Sequence, residues 1–76
     1  MTAPKKVTAW KVTLDQYRAT WNWTVHFPEG GSFGSNYCRS KKIALHKALI
    51  GVPAGTEVLV VTKHRGKQIS AEIIRR

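Results

Sequence analysis

The densest run of chemistry-bearing side chains is Lys63-His64-Arg65-Gly66-Lys67, where three permanent cations fall within five residues around a glycine. Fixed positive charge on a turn suits anionic oxygens, phosphates above all, which Lys meets as a point charge and Arg as a planar fork. Arg75 and Arg76, where the last strand should end, are expected to join that turn. Lys41, Lys42, His46 and Lys47 make a second cationic group, and Lys5-Lys6 a third near the N-terminus.

Other chemistries lack their partners. His26, His46 and His64 have no Cys or carboxylate at ligand spacing, which argues against a metal site. The carboxylates Asp15, Glu29, Glu57 and Glu72 are too scattered for a two-metal nuclease. Gly30-Gly31-Ser32-Phe33-Gly34 lacks the Lys of a phosphate-binding loop. Cys38, the single cysteine, cannot form an internal disulfide and reads as a small buried hydrophobe. The expectation is a protein that is not an enzyme and needs no cofactor.

Thirteen Lys and Arg against four Asp and Glu give a net charge of +9 over 76 residues. Such an imbalance opposes compactness through self-repulsion unless an anionic partner offsets it. The candidate partners are nucleic acid, DNA or RNA, and an acidic protein surface. A membrane is disfavoured, because no apolar run approaches the roughly 20 residues that span a bilayer. The basic start is followed by an apolar stretch interrupted at Lys11, so it does not read as a signal peptide; with the lone cysteine this favours the cytoplasm.

Hydrophobic periodicity supplies the elements that must position these groups. Residues 1–6 read as a flexible basic tail, and 7–76 as a single α+β domain. From Val7 to Leu14, Trp10, Val12 and Leu14 alternate with Ala9, Lys11 and Thr13, the period of a half-buried strand. Asp15-Gln16-Tyr17-Arg18 is expected to turn. From Ala19 to Phe27, Trp21, Trp23, Val25 and Phe27 alternate with Thr20, Asn22, Thr24 and His26. Pro28-Glu29-Gly30-Gly31 is the strongest turn signal. The third strand, roughly Ser32 to Arg39, places Phe33 and Tyr37 on one side and Cys38 on the other, and Gly34 suggests an irregular or edge position.

Ser40 is a suitable N-cap for a helix over Lys41 to Ile50 that stops at Gly51, with Ala44, Leu45, Ala48 and Leu49 on the sheet side. The run Val58-Leu59-Val60-Val61 within Thr56 to Thr62 predicts a central strand covered on both faces. Gln68 to Ile74 is a last strand with Ile69, Ala71 and Ile73 inward. The predicted order is β-β-β-α-β-β, a small, mostly antiparallel sheet with one packed helix. An unpaired edge strand would offer a route to a homodimer.

Two family resemblances follow from this layout. Three strands, a helix carrying Ala44-Leu45 and Ala48-Leu49, then Val52-Pro53-Ala54-Gly55-Thr56 leading into Val58-Leu59-Val60-Val61-Thr62, resemble the first half of a ribonuclease H-like fold. That resemblance implies a carboxylate from the first strand, a place Asp15 could fill, but the helix carries no acid and the fourth strand ends in Thr62-Lys63-His64. It therefore implies a binding form without the active site, as in the HicB-like antitoxins. Trp23-Thr24-Val25 before a glycine-containing turn, with Ser40-Lys41-Lys42-Ile43-Ala44 opening the helix, is similar to the three-strand-plus-helix DNA-binding domains of phage integrases and plant ethylene-response factors. That pattern implies a sheet in the major groove, read by Lys11, Thr13, Thr20, Asn22, Thr24 and His26.

The sequence thus leads to a nucleic-acid-binding module contacting phosphates through Lys63, Arg65, Lys67, Arg75, Arg76 and the helix lysines Lys41, Lys42 and Lys47. The alternative is a small basic interaction protein, of the kind bacteriophages make, that docks on and modulates an acidic partner protein. Trp10, Trp21 and Trp23 sit at inward positions and are assigned to the core. Tyr17, beside Arg18, is the better-placed ring for stacking on a base, with packing against its own turn as the plainer reading.

Overall fold

A computed structural model describes residues 9–76; the expected basic tail lies outside the described residues. Five strands, β1 (Trp10–Tyr17), β2 (Thr20–His26), β3 (Ser32–Cys38), β4 (Glu57–His64) and β5 (Lys67–Arg75), form one sheet, and a single helix, α1 (Lys41–Ile50), sits between β3 and β4 in the chain. The order across the sheet is β3-β2-β1-β4-β5. Every pairing is antiparallel except β1 with β4, which is parallel and sets Trp10 beside Val58 and Gln16 beside His64. The α+β class and element order are those the periodicity predicts.

Alternation in β1 and β2 works as expected. Val12, Leu14 and Val25 are fully buried and Trp23 nearly so, while Trp10, Trp21 and Phe27 pack against them from the margin. Each fully buried Val or Leu contributes about 1.5–3 kcal/mol, and the opposite face of the same strands carries Lys11, Thr13, Asn22, Thr24 and His26. Helix α1 closes this core with Ala44 and Ala48, both fully buried, flanked by Leu45 and Leu49. Ser40 Oγ accepts the Ile43 amide N–H at 3.2 Å and caps the helix. Two small residues on the contact face let the helix approach the sheet closely. It packs over β1, β2 and β3; Val58 and Val60 of β4 complete the same buried cluster, to which β5 adds only the partly buried Ile74.

The structure departs from the predicted pattern in three places. Asp15, Gln16 and Tyr17 continue β1 instead of turning, so the β1–β2 connection shrinks to Arg18-Ala19, with Arg18 at φ 60°. In β5 the predicted faces are exchanged: Ile74 lies opposite Val58 and packs on the core, whereas Ile69 and Ile73 are largely exposed. The tight turn before β5 and a register shift at Thr62/Lys63 set its facing. With no helix above it, burial cannot select the other phase. Finally, β4 is central, but its second face is covered only from within the sheet. Val61 is buried between Thr13 of β1 and Ala71 of β5, outside the main core.

The third strand carries a bulge. Val25 pairs with Phe33 and Trp23 with Ser35, but Trp21 pairs with Cys38, so the step between Trp23 and Trp21 is matched by an extra residue in β3. Strict alternation would put Tyr37 on the core side. The extra residue turns Cys38 inward instead, to 5% exposure, and Tyr37 outward, to 80%. Tyr37 adopts φ 68° to do so, a left-handed conformation that costs a non-glycine residue about 1–2 kcal/mol. Gly34 is needed one step earlier, because a Cβ there would collide with the Trp23 carbonyl oxygen and crowd Thr24. Gly34→Ala should therefore lower stability by about 1–3 kcal/mol, measurable as a drop in the urea midpoint.

Candidate nucleic-acid interface

Parallel pairing of β1 with β4 brings the β1–β2 and β4–β5 turns side by side at one end of the sheet. Both central residues of the second turn, Arg65 (φ 52°) and Gly66 (φ 82°), have positive φ. This is the two-residue form whose twist suits a hairpin, and glycine fills its second position without strain. Two bonds tie this tip to β1: the Arg65 amide N–H donates to the Gln16 carbonyl at 2.9 Å, and the Gly66 amide N–H donates to Asp15 Oδ1 at 3.2 Å. Tyr17 lies between the tips, with the Arg18 and Arg65 guanidinium carbons 5.8 Å and 5.9 Å from its ring centroid. Exposed cation–π contacts near that limit are worth about 0.5–1 kcal/mol. They orient the two arginines without committing their hydrogen-bond donors.

The same end collects charge from other elements. Strand β3 finishes there, since Cys38 is opposite Trp21, so Arg39 and the start of α1 at Lys41 and Lys42 stand at this margin. With Arg18, Lys63, Arg65 and Lys67 they account for seven of the chain's thirteen Lys and Arg. Asp15 is the one carboxylate alongside them, and its oxygen is engaged by Gly66. Among the described residues the sole ion pair is Arg75–Glu57, at 3.4 Å, so none of these seven cations is paired with an acid there. The first turn of α1 holds no acidic residue, and the helix dipole adds to the positive field at the same place.

Arg75 and Arg76 do not belong to this group. They end β5 at the other margin, roughly 27–30 Å along the strand from the tip. There Arg75 also donates to the Gly55 carbonyl at 2.9 Å, and Arg76 donates to the Leu49 carbonyl, fastening the chain end to the end of α1. Lys47 lies in the last turn of α1, towards that same margin. The expected union of Arg75 and Arg76 with the hairpin tip thus fails because β5 runs from Lys67 at the tip to Arg75 at the opposite end of the sheet. Sequence reasoning in turn left out Arg18 and Arg39. The local sign for Arg18 was a basic residue at a turn, and for Arg39 a basic residue directly before the helix cap Ser40.

The outer face of β1 and β2 holds the polar residues predicted there. Thr13 Oγ1 and His26 Nε2 are 3.0 Å apart across the strands. Partial burial, then the charges of Lys11 and Lys63, hold the His26 pKa below its usual 6.5. The unfolded chain therefore binds this proton more readily than the folded one, and stability falls as pH drops below about 6.5 towards the folded value. A melting series over that range should show the decline, and His26→Gln should flatten it.

Among the described residues no three His, Cys, Asp or Glu side chains gather where they could hold a metal ion, and no helix is long and apolar enough to cross a membrane. A shallow cleft bounded by Ala9, Trp10, Thr56, Glu57 and Arg75 lies at the margin away from the cationic tips. No family model matches the chain, and no curated protein or solved structure shows significant similarity to it.

Proposed function

We propose that the chain is a non-catalytic nucleic-acid-binding module whose phosphate contacts come from the cationic end of the sheet. Arg18, Lys63, Arg65 and Lys67 supply the hairpin-tip contacts, and Lys41 and Lys42 extend them on the helix side. The observation that carries this reading is the gathering of seven cations from three separate chain segments at one margin, with no acid paired to any of them among the described residues. Like charges brought together cost free energy in isolation. Polyanionic phosphate, which releases counterions on binding, offsets that cost. The test is a titration of labelled DNA and RNA at low and raised salt: binding that weakens steeply with salt supports the reading, and no measurable association even at about 50 mM salt sinks it.

A protein partner is the second reading, favoured by Ile69 and Ile73, 61% and 69% exposed on the uncovered edge strand β5. An edge of this kind can receive another strand. A partner recovered with the protein after exhaustive nuclease digestion would support this alternative.

A further inference from the structure

Two exposed tyrosines stand at the cationic end, and neither belongs to the hydrophobic core. Tyr37 is 80% exposed although it belongs to a strand. Its left-handed backbone is held by a side chain of the neighbouring strand, Asn22 Oδ1 accepting the Tyr37 amide N–H at 3.4 Å. The bulge that buries Cys38 could present any small or left-handed-tolerant residue outward at this point; glycine or asparagine would do so at less cost. A strained, solvent-facing aromatic is therefore best explained by something that contacts the ring. Tyr17, 52% exposed, stands on the same margin with Arg18 and Arg65 beside it. One strand, β2, separates β1 from β3, so the two rings are rooted about 10 Å apart.

Aromatic rings interleaved with cations hold nucleic-acid bases by stacking while the cations track the backbone. A duplex offers such rings little, because its bases are already stacked, and extruding one costs about as much as a single aromatic stack returns. We infer that the ligand of this end is a single-stranded stretch of nucleic acid, its phosphates on Arg18, Arg65 and Lys67 and its bases against Tyr37 and Tyr17. This rests on the nucleic-acid reading above and narrows it to one form of the polymer.

Fluorescence anisotropy with a labelled oligothymidylate of about 15 nucleotides, and with a duplex of the same length, tests it. Wild-type protein should bind the single strand at least about tenfold more tightly than the duplex. Tyr37→Asn, which suits positive φ and leaves the fold standing by circular dichroism, should weaken single-strand binding by about tenfold and leave both the duplex affinity and the salt slope unchanged. Tyr37→Phe should bind as wild type, since the ring and not the hydroxyl does the stacking. Tyr17→Leu, at the other ring, should also lose single-strand affinity. Equal or tighter duplex binding, with the tyrosine variants indistinguishable from wild type, would overturn the single-strand inference while leaving the broader reading intact. Absence of binding to both probes would remove the nucleic-acid reading itself.

Discussion

Trp23→Ala should leave the protein largely unfolded at room temperature. The indole is the largest side chain in the buried cluster, sits at 9% exposure and meets Phe33 edge-on at 5.6 Å, while Phe33 stacks on Phe27 at 5.4 Å. Truncation removes a shared wall between the sheet and its one helix. Such losses run to about 3–5 kcal/mol, comparable to the whole stability of a domain near the lower end of the usual 5–15 kcal/mol range. Trp23→Phe is the informative companion. It keeps most of the ring and removes an indole N–H that is buried with no acceptor among the described residues, so it should retain a cooperative melt. Chemical denaturation followed by circular dichroism checks both. A stable Trp23→Ala protein that has lost its ligand would move this residue from the core to the binding surface.

Reversing the charge of the two tips should abolish most nucleic-acid affinity without touching the fold. Three to five phosphate contacts predict a log–log salt slope of roughly −3 to −5 on duplex DNA for the wild type. Arg18→Glu, Arg65→Glu and Lys67→Glu together should flatten that slope by about three. All three residues are exposed, and the bonds that tie the second tip to β1 come from the backbone of Arg65 and Gly66, so the turn keeps its shape. Surface changes of this kind shift stability by under about 0.5 kcal/mol each. Lys63 is left in place because it lies beside Asp15 in the β1–β4 register, where a glutamate would add repulsion inside the sheet and confuse stability with binding. An unchanged slope would rule out the tips, and the helix lysines Lys41 and Lys42 would then be reversed. Arg75→Gln serves as the control: it should cost some stability through Glu57 and Gly55 but leave the slope alone, because it stands at the far margin.

What the sequence determined by itself was everything whose cause is local. Helix α1 has the predicted ends because Ser40 caps its first turn and Ala44 and Ala48 mark its contact face within a few residues of each other. The faces of β1 and β2 were legible because one helix-covered side rewards the alternation of Trp, Val and Leu with Thr, Asn and Lys. Basic residues around Gly66 announced a turn. The tertiary structure decided the rest, since its causes lie far apart in the chain. The facing of β5 follows from a helix that stops short of it, which no pattern within residues 68–74 records. The outward turn of Tyr37 follows from a bulge whose benefit is the burial of Cys38 against the helix. The cationic end depends on β1 lying parallel to β4, which joins Asp15 to Gly66 across 51 positions and puts Arg18 and Arg65 on the same tyrosine. Charge composition predicted an anionic partner, but where that charge gathers was set by strand order.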